Sequence, residues 1–193
     1  MKMARLALVF FIFAISLATL GCDDEKSSEK PEQKQEQVTE EKKPEVKKDT
    51  KPKAEEPKEH ALKIYFPNED GTKVVAVERK VKALEKDKYK AAIEELLKGT
   101  DKKGTISIIP KKTKLKSVSL KGSKLTVDFS GDMVKYFVGG STGEELMVGS
   151  IVNTLTEFKE VKSVKILIDG REVETIAGHM DLTMPIERIK SIL

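Results

Sequence analysis

Between Asp23 and His60 the chain holds ten Lys and thirteen acidic residues, with only Val38, Val46 and Ala54 as hydrophobic side chains. A stretch this poor in apolar groups has almost nothing to bury against the roughly 1–2 kcal/mol per residue that ordering a backbone costs. It confines any sizeable core to the residues after His60 and divides the 193 residues into three parts: 1–21, 22–60 and 61–193. The middle part reads as a disordered tether. Alternating Glu and Lys would otherwise favour a single charged helix, but Pro31, Pro44, Pro52 and Pro57 cut it into pieces too short to hold. A flexible chain of this length reaches roughly 31–37 Å r.m.s., so spacing is the role expected of it.

The first part reads as an address. Lys2 and Arg5 precede an uncharged, mostly apolar run from Leu6 to Leu20, which ends at Gly21 and Cys22. That is the outline of an export signal, and the run falls short of the ~20 residues that a membrane-spanning helix needs. Thr19-Leu20-Gly21-Cys22 resembles the lipobox of bacterial lipoproteins, although Leu usually stands three places before the cysteine. The resemblance implies cleavage between Gly21 and Cys22, with lipid on the Cys22 sulfur. Asp23 after it resembles the inner-membrane retention signal of two-membraned bacteria. The chain is therefore expected on the extracytoplasmic side of a membrane, in periplasm or at the cell exterior, held by acyl chains. Two or more of these anchor firmly where one is marginal.

Composition then removes several classes of function. Cys22 is the sole cysteine, so neither an intrachain disulfide nor a CxxC site exists, and His60 and His179 are the only histidines. No metal or cofactor is expected. Residues 61–193 carry a surplus of +5 and the chain has no Trp, far from the clustered basic and aromatic surface used to bind nucleic acid.

From Ala61 onward apolar residues alternate with turn signals. Leu62–Phe66 and Lys73–Val81 read as strands around an Asp70-Gly71 turn. Asp87 is expected to cap a helix carrying Tyr89, Ile93, Leu96 and Leu97 on one face, with Gly99 as its left-handed stop. Leu115–Lys121 and Lys124–Phe129 form a hairpin around Gly122-Ser123, a type II′ signal that sets Leu120 opposite Leu125 and Val118 opposite Val127. Ser119, Thr126 and Asp128 fall on the other face, which is expected to meet solvent. Ser141 and Glu144 have capping-box spacing ahead of an apolar stripe of Met147, Ile151, Leu155 and Phe158, predicting a main helix that ends near Lys159. Val164–Ile168 and Arg171–Thr175 flank Asp169-Gly170, a type I′ signal that sets Lys165 opposite Glu174. The expected fold is α+β: a two-layer sandwich of two main helices on a mostly antiparallel sheet.

The runs Gly139-Gly140-Ser141-Thr142-Gly143-Glu144, Ile151 to Phe158 with Asn153 and Thr154 inside it, Leu167-Ile168-Asp169-Gly170, and Gly178-His179-Met180-Asp181-Leu182 together resemble the sporulation and spore germination (GerM) domain. Tyr65 to Gly71 and Ala92 to Gly99 resemble its opening strand and first helix, so the likeness covers about residues 61–186. It implies a fold similar to the ring-building motifs of secretion and sporulation channels. It also implies a non-enzymatic, membrane-tethered module that packs against other proteins. The sporulation member of that family has tandem copies, whereas this chain has one.

Two functions are therefore weighed. One is a protein-protein interaction or envelope-assembly module, docking on an envelope protein or on itself through a sheet face or edge. The other is a binding lipoprotein for a small solute or peptidoglycan fragment, with a pocket between the loops at Gly139 and His179. A Ser141, His179, Asp169 triad is set aside, since Ser141 reads as a cap, Asp169 as a turn residue, and no Gly-x-Ser-x-Gly elbow is present. His179 is expected to satisfy backbone groups of its own loop. The lysines at 102, 103, 111, 112, 114 and 116 read as a solvated face, with anionic lipid heads or wall polymers as the alternative contact.

Overall fold

A computed structural model describes residues 56–193. Gly21, Cys22 and nearly all of the expected tether lie outside the described residues. The elements are β1 (Lys58–Pro67), β2 (Val74–Ala83), α1 (Lys88–Lys98), β3 (Leu115–Lys121), β4 (Lys124–Phe129), α2 (Asp132–Lys135), α3 (Ser141–Leu155), β5 (Ser163–Ile168), β6 (Arg171–Glu172) and β7 (Ile186–Glu187). This is an α+β fold with two sheets. β1 and β2 make an antiparallel hairpin, while the larger sheet runs β3-β4-β5-β6 with β7 also on β5.

The second hairpin keeps the expected register, Leu120 opposite Leu125 and Val118 opposite Val127, and Gly122 has the positive φ of +62° that its turn demands. β1 starts at Lys58, three residues ahead of the expected domain boundary. Backbone pairing of Lys58, Glu59 and His60 with Ala83, Lys82 and Val81 needs no apolar side chain, so composition does not reveal it. Asp87 occupies the N-cap of α1 but makes no side-chain cap bond; Gly99 closes the helix at the expected place and with a positive φ of +84°, although its ψ of −164° is extended rather than left-handed helical.

β4 and β5 are parallel, a pairing the antiparallel hairpin signals do not suggest. The long connection through α2 and α3 allows it, because parallel neighbours require a crossover. α3 is the centre of the molecule. Met147, Val148, Ile151, Val152 and Leu155 are fully buried, and so are Leu125, Val127 and Phe129 of β4 and Ile64 of β1 in the same core. Each such side chain contributes roughly 1.5–3 kcal/mol on burial, against about 1 kcal/mol for a helix cap, so tertiary packing decides where this helix lies. The expected stripe is instead a helix buried on every side from Leu146 to Leu155, and it stops at Leu155 rather than near Lys159.

The outer face of the larger sheet is not wholly solvated. Asp128 is buried, and its Oδ1 accepts the Gly170 amide at 2.9 Å. Lys165, also buried, donates to the carbonyls of Leu182 (3.0 Å) and Thr183 (2.6 Å). The ladder after Asp169-Gly170 ends at Glu172, so Lys165 pairs with Glu172 at 3.3 Å instead of facing Glu174. The chain leaves the sheet at that point to serve a group on α3.

Candidate functional site

That group is Glu144. An acid in the first turn of a helix that continues into a fully buried stretch must find donors or lose its charge. Glu144 has no solvent exposure, and its carboxylate gathers the segment after β6. Oε1 accepts from the Thr175 hydroxyl (2.6 Å) and from the amides of Ile176 (2.8 Å) and Ala177 (2.9 Å). Oε2 accepts from the His179 amide (2.9 Å) and lies 3.3 Å from His179 Nδ1. Burial pushes this carboxyl up, but the Thr175 hydroxyl and the three amides outweigh it and hold the pKa down at about 2.

The capping-box expectation is therefore corrected. Gly140 is the N-cap, Ser141 is exposed as the first helical residue, and no side chain caps the end. A carboxylate with four close donors in a dry setting is better satisfied than one reaching back to a single solvated amide. The expectation for His179 changes too: its ring faces a carboxylate rather than backbone groups, and its side chain is about half exposed.

The glycines around this point serve the packing of their neighbours. A Cβ on Gly139 would lie 2.8 Å from Cζ of Phe137, and one on Gly143 3.6 Å from the same atom, so the ring rests on both residues. Gly178 has φ +89°, and its amide donates to Thr175 Oγ1 at 2.8 Å, closing the loop that wraps Glu144. The Asp169-Gly170 turn has both residues at positive φ, +51° and +75°, as a type I′ turn requires. Asp169 also accepts from the Gly131 amide and Lys116 Nζ, both at 3.0 Å, which lowers its pKa, first through the Lys116 bond.

Asn153 and Thr154 are buried hydrogen-bonders at the other end of α3. Asn153 donates to the Ile189 carbonyl (3.0 Å) and accepts from its amide (2.9 Å), while Thr154 Oγ1 accepts from the Tyr65 amide (2.9 Å). Beside them Arg188 Nη2 donates to the Tyr65 hydroxyl and to Glu157 Oε1, each at 2.6 Å, and the Tyr65 hydroxyl donates to Glu157 at 2.8 Å. Burial raises the Glu157 carboxyl, yet the Tyr65 and Arg188 contacts leave its pKa lowered. Arg188, Thr175 and Tyr65 are participants that sequence reasoning missed. The readable hint was Asn153 and Thr154, polar residues inside the mostly apolar run of α3 from Leu146 to Leu155.

Ser141, Asp169 and His179 are not joined to one another by any hydrogen bond among the described residues. His179 lines a surface depression with Thr175, Met180, Asp181 and others of its own segment 174–183, to which Gly139 and Gly140 contribute nothing. A second groove runs along β1. It is lined by Ala61, Leu62, Lys63, Ala92, Thr154, Glu157 and Phe158.

β1 is open at this groove. The Asn68 amide donates to Lys73 O across the turn, so even-numbered residues of β1 bond to β2 and odd-numbered ones point away. The Tyr65 amide is taken by Thr154, and the Pro67 carbonyl accepts from the Ile106 amide at 2.9 Å. Glu59, Ala61 and Lys63 have no backbone partner on that side among the described residues.

The Germane family, described as sporulation and spore germination, matches residues 63–174, from within β1 to just past β6. The chain belongs to this family. It is 33% identical over 139 residues to the spore germination protein GerM of Bacillus subtilis (strain 168), a match covering 67% of this chain and 37% of that protein. The tandem GerMN domains of the sporulation protein GerM from Bacillus subtilis superpose with a TM-score of 0.52 at 28% identity, over 70% of this chain and 47% of that one. The first GerMN domain alone gives a TM-score of 0.50 at 22% identity, over 67% and 95% of the two chains, and shows the same fold. This chain thus spans little more than a third of the curated relative's length.

Proposed function

We propose that this protein is a lipid-anchored extracytoplasmic module of the cell envelope, in a process related to sporulation or germination. It acts by docking on a protein rather than by catalysis. Residues of the runs that resemble the family point inward: Glu144, Asn153 and Thr154 hold loops and strands in place. That is the pattern of a scaffold whose product is a stable surface.

The observation carrying the docking role is the free edge of β1 from Glu59 to Lys63, set in a groove floored by Leu62, Ala92 and Phe158. An extended segment of an envelope partner, or of a second copy, can pair with the outward amides and carbonyls of residues 59, 61 and 63. Lys63, 3.6 Å from Glu157, guards the groove against indiscriminate pairing. In Ala61→Pro one outward amide is removed while the ladder to β2 is untouched. Site-specific photocrosslinking in intact cells from position 63 should give a defined adduct in the native chain and lose most of it in Ala61→Pro, with the melting temperature unchanged. An undiminished adduct in that variant would exclude strand addition at this edge.

Anchoring is tested separately. Metabolic labelling with palmitate should tag the native chain and not Cys22→Ser, and the variant should leave the membrane fraction. Equal labelling of both would remove the anchor from this reading.

A further inference from the structure

We infer that the segment after β4, together with the lysine loop before β3, forms a surface that contacts an anionic lipid bilayer. Val138 is 92% exposed, and Val134 and Tyr136 are also exposed, at 39% and 38%. These are three apolar side chains at alternate positions of one short segment. The segment is held outward, not loose: α2 supports one end, and Phe137 between Tyr136 and Val138 is turned inward against Gly139 and Gly143. A nearly naked valine presented on a fixed support is an unusual use of surface.

Lysines dominate the charges around it. Lys111, Lys112, Lys114 and Lys116 are all exposed, residues 111–127 hold no acid, and among the described residues only Lys116 of these four has a carboxylate partner, Asp169. The lysine loop and the apolar segment are adjacent. Lys112 Nζ lies 4.3 Å from the centre of the Tyr136 ring, with Lys135 at 5.3 Å, and Lys114 and Ser130 exchange hydrogen bonds at 2.8 and 3.0 Å. Two acids lie close by: Asp169, which binds Lys116 and the Gly131 amide, and Asp132, which is half-buried at the start of α2.

Two valines, an amphipathic tyrosine and a collar of long cations fit the interface of a bilayer, where the apolar tips enter and the ammonium groups stay at the phosphates. A soluble polyanion would use the lysines but leave Val138 in water, so the observations favour lipid. Contact of this kind is separate from the docking role at β1 and holds whether or not Cys22 carries lipid.

The chain has no Trp, so Val138→Trp creates a single reporter in the full-length protein. With phosphatidylcholine vesicles containing phosphatidylglycerol, its emission should shift to the blue and be quenched by brominated lipid. Both effects should vanish on neutral vesicles, in high salt, and when Lys111, Lys112 and Lys114 are all changed to Glu, which should weaken the contact by about a hundredfold or more. Because Trp itself favours membranes, Tyr136→Trp with Val138 kept is the second reporter, and adding Val138→Asp to it should abolish the shift. A chain that floats with anionic vesicles while its reporter emission stays unshifted overturns the proposal. So does a shift produced equally by soluble polyphosphate with no bromolipid quenching. Failure of the anchor reads differently: the chain no longer floats with neutral vesicles in high salt.

Discussion

Replacing Glu144 by Gln should lower stability by about 3 kcal/mol at pH 7, measured as a fall in the urea midpoint at unchanged slope. The figure follows from the carboxyl itself: a folded pKa of about 2 against an ordinary 4.5 corresponds to about 3 kcal/mol of preferential binding of the charged form. Gln keeps the size but sets an NH2 group against amides that need an acceptor, and buried amides without acceptors cost about 1–3 kcal/mol each. Against a total stability of about 5–15 kcal/mol the loss is large. The pH dependence gives the control. The folded pKa is depressed, so the folded state binds fewer protons, and the stabilisation is complete above about pH 4.5 and disappears as pH falls toward 2. The gap between the native chain and Glu144→Gln should therefore close over that window. A gap independent of pH would mean that shape, not charge, is what position 144 supplies.

The second large effect is expected at Asn153. Asn153→Ala leaves both the amide and the carbonyl of Ile189 without a partner and opens a void beside α3, at a cost of about 2–4 kcal/mol. The consequence is local as well as global, because the segment that Asn153 holds also supplies Ile192 O to the Val74 amide at 2.7 Å. Amide hydrogen exchange should therefore lose protection first at Ile189 and Val74, while the β4–β5 pair stays protected up to the global unfolding free energy. Uniform loss across the domain would mean that Asn153 acts through the core and not through the C-terminal segment.

The parts legible in the sequence share one property: their cause lies within a few residues. Gly122-Ser123 and Asp169-Gly170 specify tight turns, a tight turn fixes its flanking register, and the Leu120–Leu125 and Val118–Val127 pairs result. Gly99 stops α1 for the same local reason, the positive φ its position requires. The ordered set of short runs was enough to recognise the family.

Where local rules misled, distance along the chain was responsible. Ser141 and Glu144 satisfy every local rule for a capping box, and what overrides those rules arrives 31 to 35 residues later, when Thr175 to His179 bring better donors. The same holds for the parallel β4–β5 pair, for Lys165, and for the open edge of β1: Thr154 and Ile106 take the outward groups of Tyr65 and Pro67, whereas no group among the described residues bonds to the outward amides and carbonyls of residues 59, 61 and 63.

By itself, then, the sequence determined the turns, the helix stop at Gly99, the apolar faces and the family. Those depend on backbone preferences and hydrophobic spacing, which act between near neighbours. Only the tertiary structure decided which polar groups are buried and what satisfies them, because a hydrogen bond inside a core is chosen by whichever donor packing brings within about 3 Å, however far away it stands in the chain.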